Sequence, residues 1–296
     1  MTSSQRPASA AGTFDLGDLT VNRIGFGTMR LAGSSAFGQS PVRGRDQAIA
    51  VLREAIDLGV NHFDTAAFYF SPTRSSNELL GAALRPWSDD VVIASKVGPG
   101  RDTWGEWTAW ARPEQLRGQV EENLRQLGRD HLDVVNLRVV RRDAPLTDHL
   151  GALTELRDAG LLRHVGVSNV SLDQLAEARS VTDIVCVQNR YGLTDRECED
   201  VLLACGEHGI AFTPYFAIAG AGRESGRAAA EPEALSAVAD ARGVTTAQVR
   251  LSWSLHQGEH VLAIPGTGDP AHLRENVDAA GLVLTSEELS LLSATA

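Results

Sequence analysis

Lysine is almost absent: one residue, Lys96, stands beside 26 arginines in a chain of 296 residues. A GC-rich genome imposes such a bias, and it makes the exception informative. Lysine differs from arginine in being a compact point charge able to shift its pKa, so a site needing those properties would retain it. Cysteine is also scarce. Cys186, Cys198 and Cys205 are odd in number and form no C-x-x-C pair, which excludes a disulfide framework and a zinc site. No apolar run approaches the roughly 20 residues of a membrane span. Positive charge is in the minority, 27 basic against 38 acidic residues for a net −11, so attraction to nucleic acid or an anionic membrane is disfavoured. No G-x-G-x-x-G follows a strand and opens a helix, which argues against a Rossmann dinucleotide site. Residues 1–12 lack a long apolar core and read as a disordered tail, not a signal peptide. A cytoplasmic protein is expected.

What the chain does have is an alternation of short β-rich runs with amphipathic stretches. Candidate strands are Arg23–Gly27, Val60–Asp64, Val91–Lys96, Leu132–Arg138, His164–Ser168, Ile184–Gln188, Ile210–Pro214 and Val261–Ile264. Between them lie helical stretches such as Asp46–Leu58, Pro113–Leu127, Thr147–Ala159, Leu172–Ala178 and Arg196–His208. Leu116, Val120, Leu124 and Leu127 recur at helical spacing. Gly59, Gly128, Gly160 and Gly209 stand where C-terminal caps are expected. Eight strand–helix units imply a parallel sheet with right-handed crossovers, closed into a (β/α)₈ barrel with extra C-terminal helices. Thr13–Asn22 reads as a β-hairpin turning at Gly17-Asp18 and capping the barrel floor. Residues 13–296 are expected to form one domain. The long connection Ala217–Glu231, rich in Gly and Ala, reads as a lid.

Barrels of this kind place their active sites at the C-terminal strand ends. Asp64 ends the second strand and Tyr69 lies in the following loop. Lys96 ends the third strand, Arg138 the fourth, Ser168-Asn169 the fifth and Gln188 the sixth. A randomly placed lysine has about one chance in forty of landing at such an end, which makes chance survival of Lys96 a poor account. Reducing a carbonyl requires a hydride for carbon and a proton for oxygen. A tyrosine with pKa about 10 serves as the acid if its phenolate is stabilised. An ammonium does that, and a carboxylate holds the ammonium in place. Tyr69, Lys96 and Asp64 are of the right types for those roles.

The runs N-H-F-D-T-A-A-F-Y with N-E-L-L-G, I-A-S-K-V-G, V-G-V-S-N, V-Q-N-R-Y and I-P-G-T-G-D-P-A-H-L-R-E-N stand in this order. The chain resembles the aldo-keto reductase family through them, over about residues 13–293. The wording L-D-V-V-N-L-R is similar to a bacterial branch that includes pyridoxal reductases. The resemblance implies NAD(P)H-dependent reduction of an aldehyde or ketone, with NADP (NADPH) as cofactor and a small-molecule carbonyl substrate. It implies that Asp64, Tyr69, Lys96 and Arg138 form the catalytic set. Ser168, Asn169 and Gln188 would hold the nicotinamide carboxamide, and Phe212 would stack on its ring. Gly266 and Thr267, with the helix starting near Pro270, would bind the adenosine phosphate, and Glu275 and Asn276 the adenine. Gly27, Thr28, Met29, Asp64, Pro214, Tyr215, Pro265 and His272 complete the implied cofactor set. No metal is implied.

Two departures from the family pattern stand out. Arg138 occupies the position where the family usually has histidine. It is a permanent cation unable to shuttle a proton. It can polarise the carbonyl, depress the Tyr69 pKa, hold an anionic group of the substrate, or pair with a neighbouring carboxylate. The NADP pattern often carries lysine at position 266 and arginine at position 272, where this chain has Gly266 and His272, with Arg274 nearby. Trp104, Trp107 and Trp110 either wall the pocket or pack their loop onto the barrel. A Schiff-base aldolase using Lys96, a non-catalytic dinucleotide-binding regulator and a ketoreductase for a sugar or secondary metabolite are the competing readings.

Overall fold

The chain buries its short apolar runs by pairing them in sequence order, as the computed structural model of residues 7–33, 44–141, 143–218 and 231–294 shows. Strands β1 (Thr13–Leu16) and β2 (Leu19–Asn22) form an antiparallel hairpin with Leu16 opposite Leu19, so Gly17 and Asp18 make the turn. Strands β3 (Phe26–Gly27) and β4 (His62–Asp64) follow, then a small ribbon of β5 (Phe70–Ser71) and β6 (Arg74–Ser75). The remaining strands are β7 (Val92–Val97), β8 (Leu132–Arg138), β9 (Leu162–Ser168), β10 (Ile184–Gln188) and β11 (Ala211–Phe212). Seven of these make a parallel sheet in the order β11-β10-β9-β8-β7-β4-β3.

The eighth run closes the sheet. Val261 bridges Phe212 on one edge and Ala263 bridges Ile24 on the other, both in parallel. The Leu262 amide donates to the Phe212 carbonyl (2.9 Å), Ala263 N–H to Arg23 (2.8 Å) and Gly25 N–H to Ala263 (2.8 Å). This seam is made of shorter pairings than the rest, which is why Arg23–Gly27 and Ile210–Pro214 are longer as apolar runs than as strands.

Period-two alternation sorts the side chains onto the two faces of the wall. Phe63, Ile93, Val135, Leu137, Val165, Val167 and Val187 join the large core shared with the helices. Val92, Ala94, Val134, Cys186, Ala211 and Leu262 form a smaller cluster with Leu16, Leu19 and Val21 of the hairpin. The hairpin therefore plugs the barrel floor, each enclosed Leu or Val contributing about 1.5–3 kcal/mol relative to exposure.

Helices α1 (Arg45–Asp57), α2 (Ser76–Leu84), α3 (Leu116–Leu127), α4 (Thr147–Asp158), α5 (Leu172–Val181) and α6 (Glu199–Glu207) alternate with the strands. Helices α7 (Glu233–Arg242), α8 (Thr246–Leu255), α9 (Pro270–Asp278) and α10 (Ser286–Ser293) complete the C-terminal part. The stripe Leu116, Val120, Leu124 and Leu127 is buried as its spacing predicts. Gly128 ends α3 with φ 67° and ψ 47°, a conformation that a Cβ would strain.

Several expectations need correction. Pro113–Gln115 is a turn of 3-10 helix ahead of α3, and α6 starts later than residue 196. The tail read over residues 1–12 is structured where it is described, from Pro7 onward. Ala8–Ala11 form a 3-10 turn in which Ala8 is fully buried and donates its N–H to the Leu58 carbonyl. Small alanines let this turn pack closely, a signal that the lack of a long apolar run concealed. Residues 1–6, and most of the lid read over Ala217–Glu231, lie outside the described residues.

His62, on β4, is fully enclosed, and burial lowers its pKa to about 4 despite the nearby Asn22 backbone. The unfolded chain takes up this proton near pH 6.5, the folded chain only near pH 4. Stability linked to His62 is therefore complete above about pH 6.5 and is lost as the pH falls from there to about 4, by roughly 3 kcal/mol in all. Denaturant unfolding at pH 7.5 and pH 4.5 is expected to show a clearly smaller acid loss in His62→Leu than in the parent. Equal losses in both proteins would remove His62 as the cause.

Candidate active site

The C-terminal ends of β4, β7, β8, β9 and β10 converge on one cavity of about 950 Å³, lined by Asp64, Tyr69, Lys96, Arg138, Ser168 and Gln188 among others. Inward residues at the strand ends stack in layers drawn from alternate strands, so sequence-distant polar groups meet there. The Lys96 Nζ donates to both carboxylate oxygens of Asp64 at 2.6 Å and to the Thr65 carbonyl at 3.1 Å. Both side chains of this ion pair are nearly inaccessible to water. Gln188 Nε2 donates to Asp64 Oδ2 at 2.8 Å.

Tyr69 reaches the same place from the loop after β4. Its ring lies over Lys96, with Nζ 5.0 Å from the centroid, and meets Phe68 edge-on at 5.2 Å. Burial raises the Tyr69 pKa above the ordinary phenol value. Lys96 and Arg138 pull it down and Asp64 pushes it up, and the balance remains upward. The phenol is therefore held as an acid, rather than depressed as the ammonium alone would make it. For Lys96, burial works against the charged form, but Asp64 and Tyr69 outweigh it and the pKa is raised. The ammonium stays charged.

Three supports hold this layer, and of these the sequence suggests only the packing of the tryptophan loop. Arg101 donates to the carbonyls of Phe68 (3.3 Å) and Phe70 (2.8 Å), clamping the chain on both sides of Tyr69. A buried polar chain runs from Thr28 to Thr65 (2.9 Å), Asn77 (2.6 Å) and Asn123 (2.9 Å), and Ser95 of β7 joins it at Asn123 (2.5 Å). The long loop after β7 leans on Arg138: its guanidinium carbon lies 5.5 Å from the Trp107 ring centroid and 5.8 Å from that of Phe68. Trp110 donates to the Arg138 carbonyl (3.0 Å) and stacks on His149. Trp110 thus packs the loop, Trp107 lies over Phe68 and Arg138 with 41% of its surface exposed, and Trp104 is exposed.

The implied cofactor residues divide. Gly27, Met29, Asp64, Ser168, Gln188, Pro214, Tyr215, Pro265, Gly266, Thr267, His272, Glu275 and Asn276 all line the cavity. Three do not. Thr28 is fully buried, its hydroxyl tied to Thr65. Asn169 has φ 65° and uses its amide between the Val139 carbonyl (2.9 Å) and the Tyr215 hydroxyl (3.4 Å). Phe212 is fully buried edge-on to Tyr191, with no open face for stacking. Its phase on a two-residue strand turns it away from the cavity, which Tyr215 and Phe216 border instead.

Backbones approach closely at the far end. A Cβ on Gly266 would lie 2.2 Å from the Gly27 carbonyl oxygen, and one on Gly27 would lie 2.6 Å from that of Ile264. No longer side chain fits at 266 without moving the seam, a physical reason for glycine at that position. The N-terminus of α9 opens beside it, capped by the Asp269 carboxylate on Ala271 N–H (2.9 Å). Arg274 is engaged with Glu54 at 2.5 Å. Among the described residues no group of His, Cys, Asp and Glu is arranged to hold a metal, and no helix is long and apolar enough to cross a membrane.

The arrangement matches known proteins across its length. The model of the aldo/keto reductase family covers residues 23–296. Pyridoxine 4-dehydrogenase of Escherichia coli is 43% identical over 289 residues, 96% of this chain and 98% of that protein. Among solved structures, the thermostable aldo-keto reductase Tm1743 with the inhibitor epalrestat superposes with TM-score 0.80 at 29% identity, covering 96% and 99% of the two chains. An aldo/keto reductase from Klebsiella pneumoniae, in complex with NADP and acetate, gives 0.76 at 32% identity over 93% and 92%. With its closed parallel barrel and a tyrosine–lysine–aspartate cluster at the strand ends, this chain belongs to the aldo/keto reductase family of oxidoreductases.

Proposed function

We propose that the protein reduces an aldehyde or ketone to its alcohol with NADPH, Tyr69 donating the proton. The observation carrying this reading is the buried Tyr69 phenol, its pKa pushed up by burial, over an ammonium that Asp64 grips with both oxygens. The cavity is large enough for a dinucleotide, near the upper end of the roughly 300–1,000 Å³ of ligand pockets. Gly27 and Gly266 keep its wall free of side chains where a backbone-hugging phosphate would pass. Ser168 and Gln188 would hold the carboxamide, Tyr215 would offer the stacking face, and Thr267, His272, Glu275 and Asn276 would meet the adenosine end. Bound there, NADPH would supply the hydride for the carbonyl carbon, leaving NADP. As the carbonyl π pair moves onto oxygen, Tyr69 gives that oxygen its proton. Lys96 stabilises the phenolate left behind, and Asp64 keeps Lys96 in place. Solvent returns the proton to Tyr69.

The E. coli relative's activity points to a pyridoxal-type aldehyde as the substrate, and the Klebsiella structure supports NADP over NAD. The same reading places the enzyme in the cytoplasm, with no nucleic-acid partner at a net charge of −11. A panel of carbonyls including pyridoxal, followed by NADPH absorbance, is expected to give turnover. Failure on every carbonyl would leave only a dinucleotide-binding regulator. NADPH is also expected to bind more tightly than NADH. Because Arg274 is engaged elsewhere, that preference must come from Thr267, His272 and backbone amides. Equal dissociation constants at one ionic strength would reject NADP as the preferred cofactor.

A further inference from the structure

Proton donation is complete without Arg138: Tyr69 supplies the proton, and the Lys96 charge is matched by Asp64. Arg138 nevertheless lines the same cavity as Tyr69 and Lys96, and its charge acts on the Tyr69 phenol. It is held there. Phe68 and Trp107 flank the guanidinium at 5.8 and 5.5 Å, contacts that fix a planar cation and favour arginine over lysine. Trp110 pins its carbonyl, and a Cβ on Gly98 would lie 2.6 Å from that same oxygen, so the backbone here has one position. Of the other charged groups lining the cavity, Lys96 is paired with Asp64 and Arg190 with Asp195 (2.6 Å), while Arg30 and Glu275 stand further along it.

A guanidinium presents parallel donors in a fixed fork that matches two oxygens better than one. A simple carbonyl offers one oxygen, weakly charged before the reaction. Resting on the carbonyl-reductase reading above, we propose that Arg138 selects substrates carrying an ionised oxygen beside the carbonyl: 2-oxo acids, or aryl aldehydes with an ortho hydroxyl. One branch of the fork takes the carbonyl oxygen and the other the neighbouring anion. The carbonyl oxygen is thereby oriented toward Tyr69 before reduction.

The test compares kcat/KM with NADPH for two matched pairs. The first is phenylglyoxylate and its methyl ester, which differ in the charge next to the same ketone. The second is 2-hydroxybenzaldehyde and 4-hydroxybenzaldehyde, measured on both sides of their phenol pKa values. The parent is expected to prefer the charged or ortho member in at least one pair, although the ester is the more electrophilic ketone. Arg138→Met should reduce that preference by about 10–100-fold, the scale of a hydrogen bond to a charged group. Arg138→Lys, which keeps the charge without the fork, should retain an intermediate preference and guards against a Met variant that fails to fold. A preference in the first pair alone assigns the 2-oxo acids, and in the second alone the ortho-hydroxy aldehydes. No preference in either pair, or an equal loss on all four compounds in Arg138→Met, overturns the proposal while carbonyl reduction stands. Absence of turnover on any carbonyl defeats the reductase reading itself.

Discussion

Tyr69→Phe is expected to lower kcat by about 10²-fold or more, the scale of losing a general acid, with NADPH affinity close to that of the parent. The substitution removes one oxygen from a ring that otherwise keeps its packing against Phe68 and its place over Lys96. The Arg101 clamp grips the neighbouring backbone and not the side chain, so the loop should hold its shape. A single-turnover measurement with NADPH bound separates chemistry from release. Retention of most of the parental rate in that phase would mean that another group delivers the proton.

The second large effect is expected from a substitution that conserves charge. Lys96 offers three N–H donors, and the two Asp64 oxygens and the Thr65 carbonyl meet them in a space sealed from water, beside the Tyr69 ring. A guanidinium is larger, planar and carries its charge on a longer stem. Lys96→Arg is therefore expected to lower kcat by about 10²-fold or more, comparable to removing one electrostatic support of a transition state. Lys96→Met would be worse for folding, because it leaves the buried Asp64 carboxylate without its cation, at a cost of about 3–5 kcal/mol. Steady-state rates together with denaturant unfolding distinguish the two variants. Parental rates in Lys96→Arg would mean that a genome which writes almost every cation as arginine has left this lysine by accident.

The barrel is legible in the sequence because its signals are local. Each strand run is short and β-rich, each helix carries a stripe, and the polar residues Asp64, Lys96, Arg138, Ser168 and Gln188 stand at strand ends, where the fold brings them together. What escapes is decided by contacts between distant segments. Phe212 and Thr28 lie next to cavity residues in sequence, yet the seam strands are two residues long, too short for a pattern to reveal which way a side chain faces. Ala8 is buried because Leu58 is there to accept its N–H. The polar chain through Asn77 of α2 and Asn123 of α3 ties Thr65, just after β4, to Ser95 of β7, and each member taken alone resembles an ordinary surface hydroxyl or amide. The direction of the Tyr69 pKa was equally hidden, since charge partners are named by sequence but burial is not.

The hairpin that plugs the barrel floor has a kinetic consequence. With Leu16, Leu19 and Val21 filling one end of the interior, the barrel floor offers no passage among the described residues. On the proposed function, the cavity running from Tyr69 to Asn276 would hold both reactants, one along its wall and the other over the reacting end. Such a vestibule imposes a queue: whichever molecule lies deeper must enter first and leave last. Turnover then has an order of events set by architecture, and the slowest exit, rather than the bond-making step, can become the pace of the whole cycle.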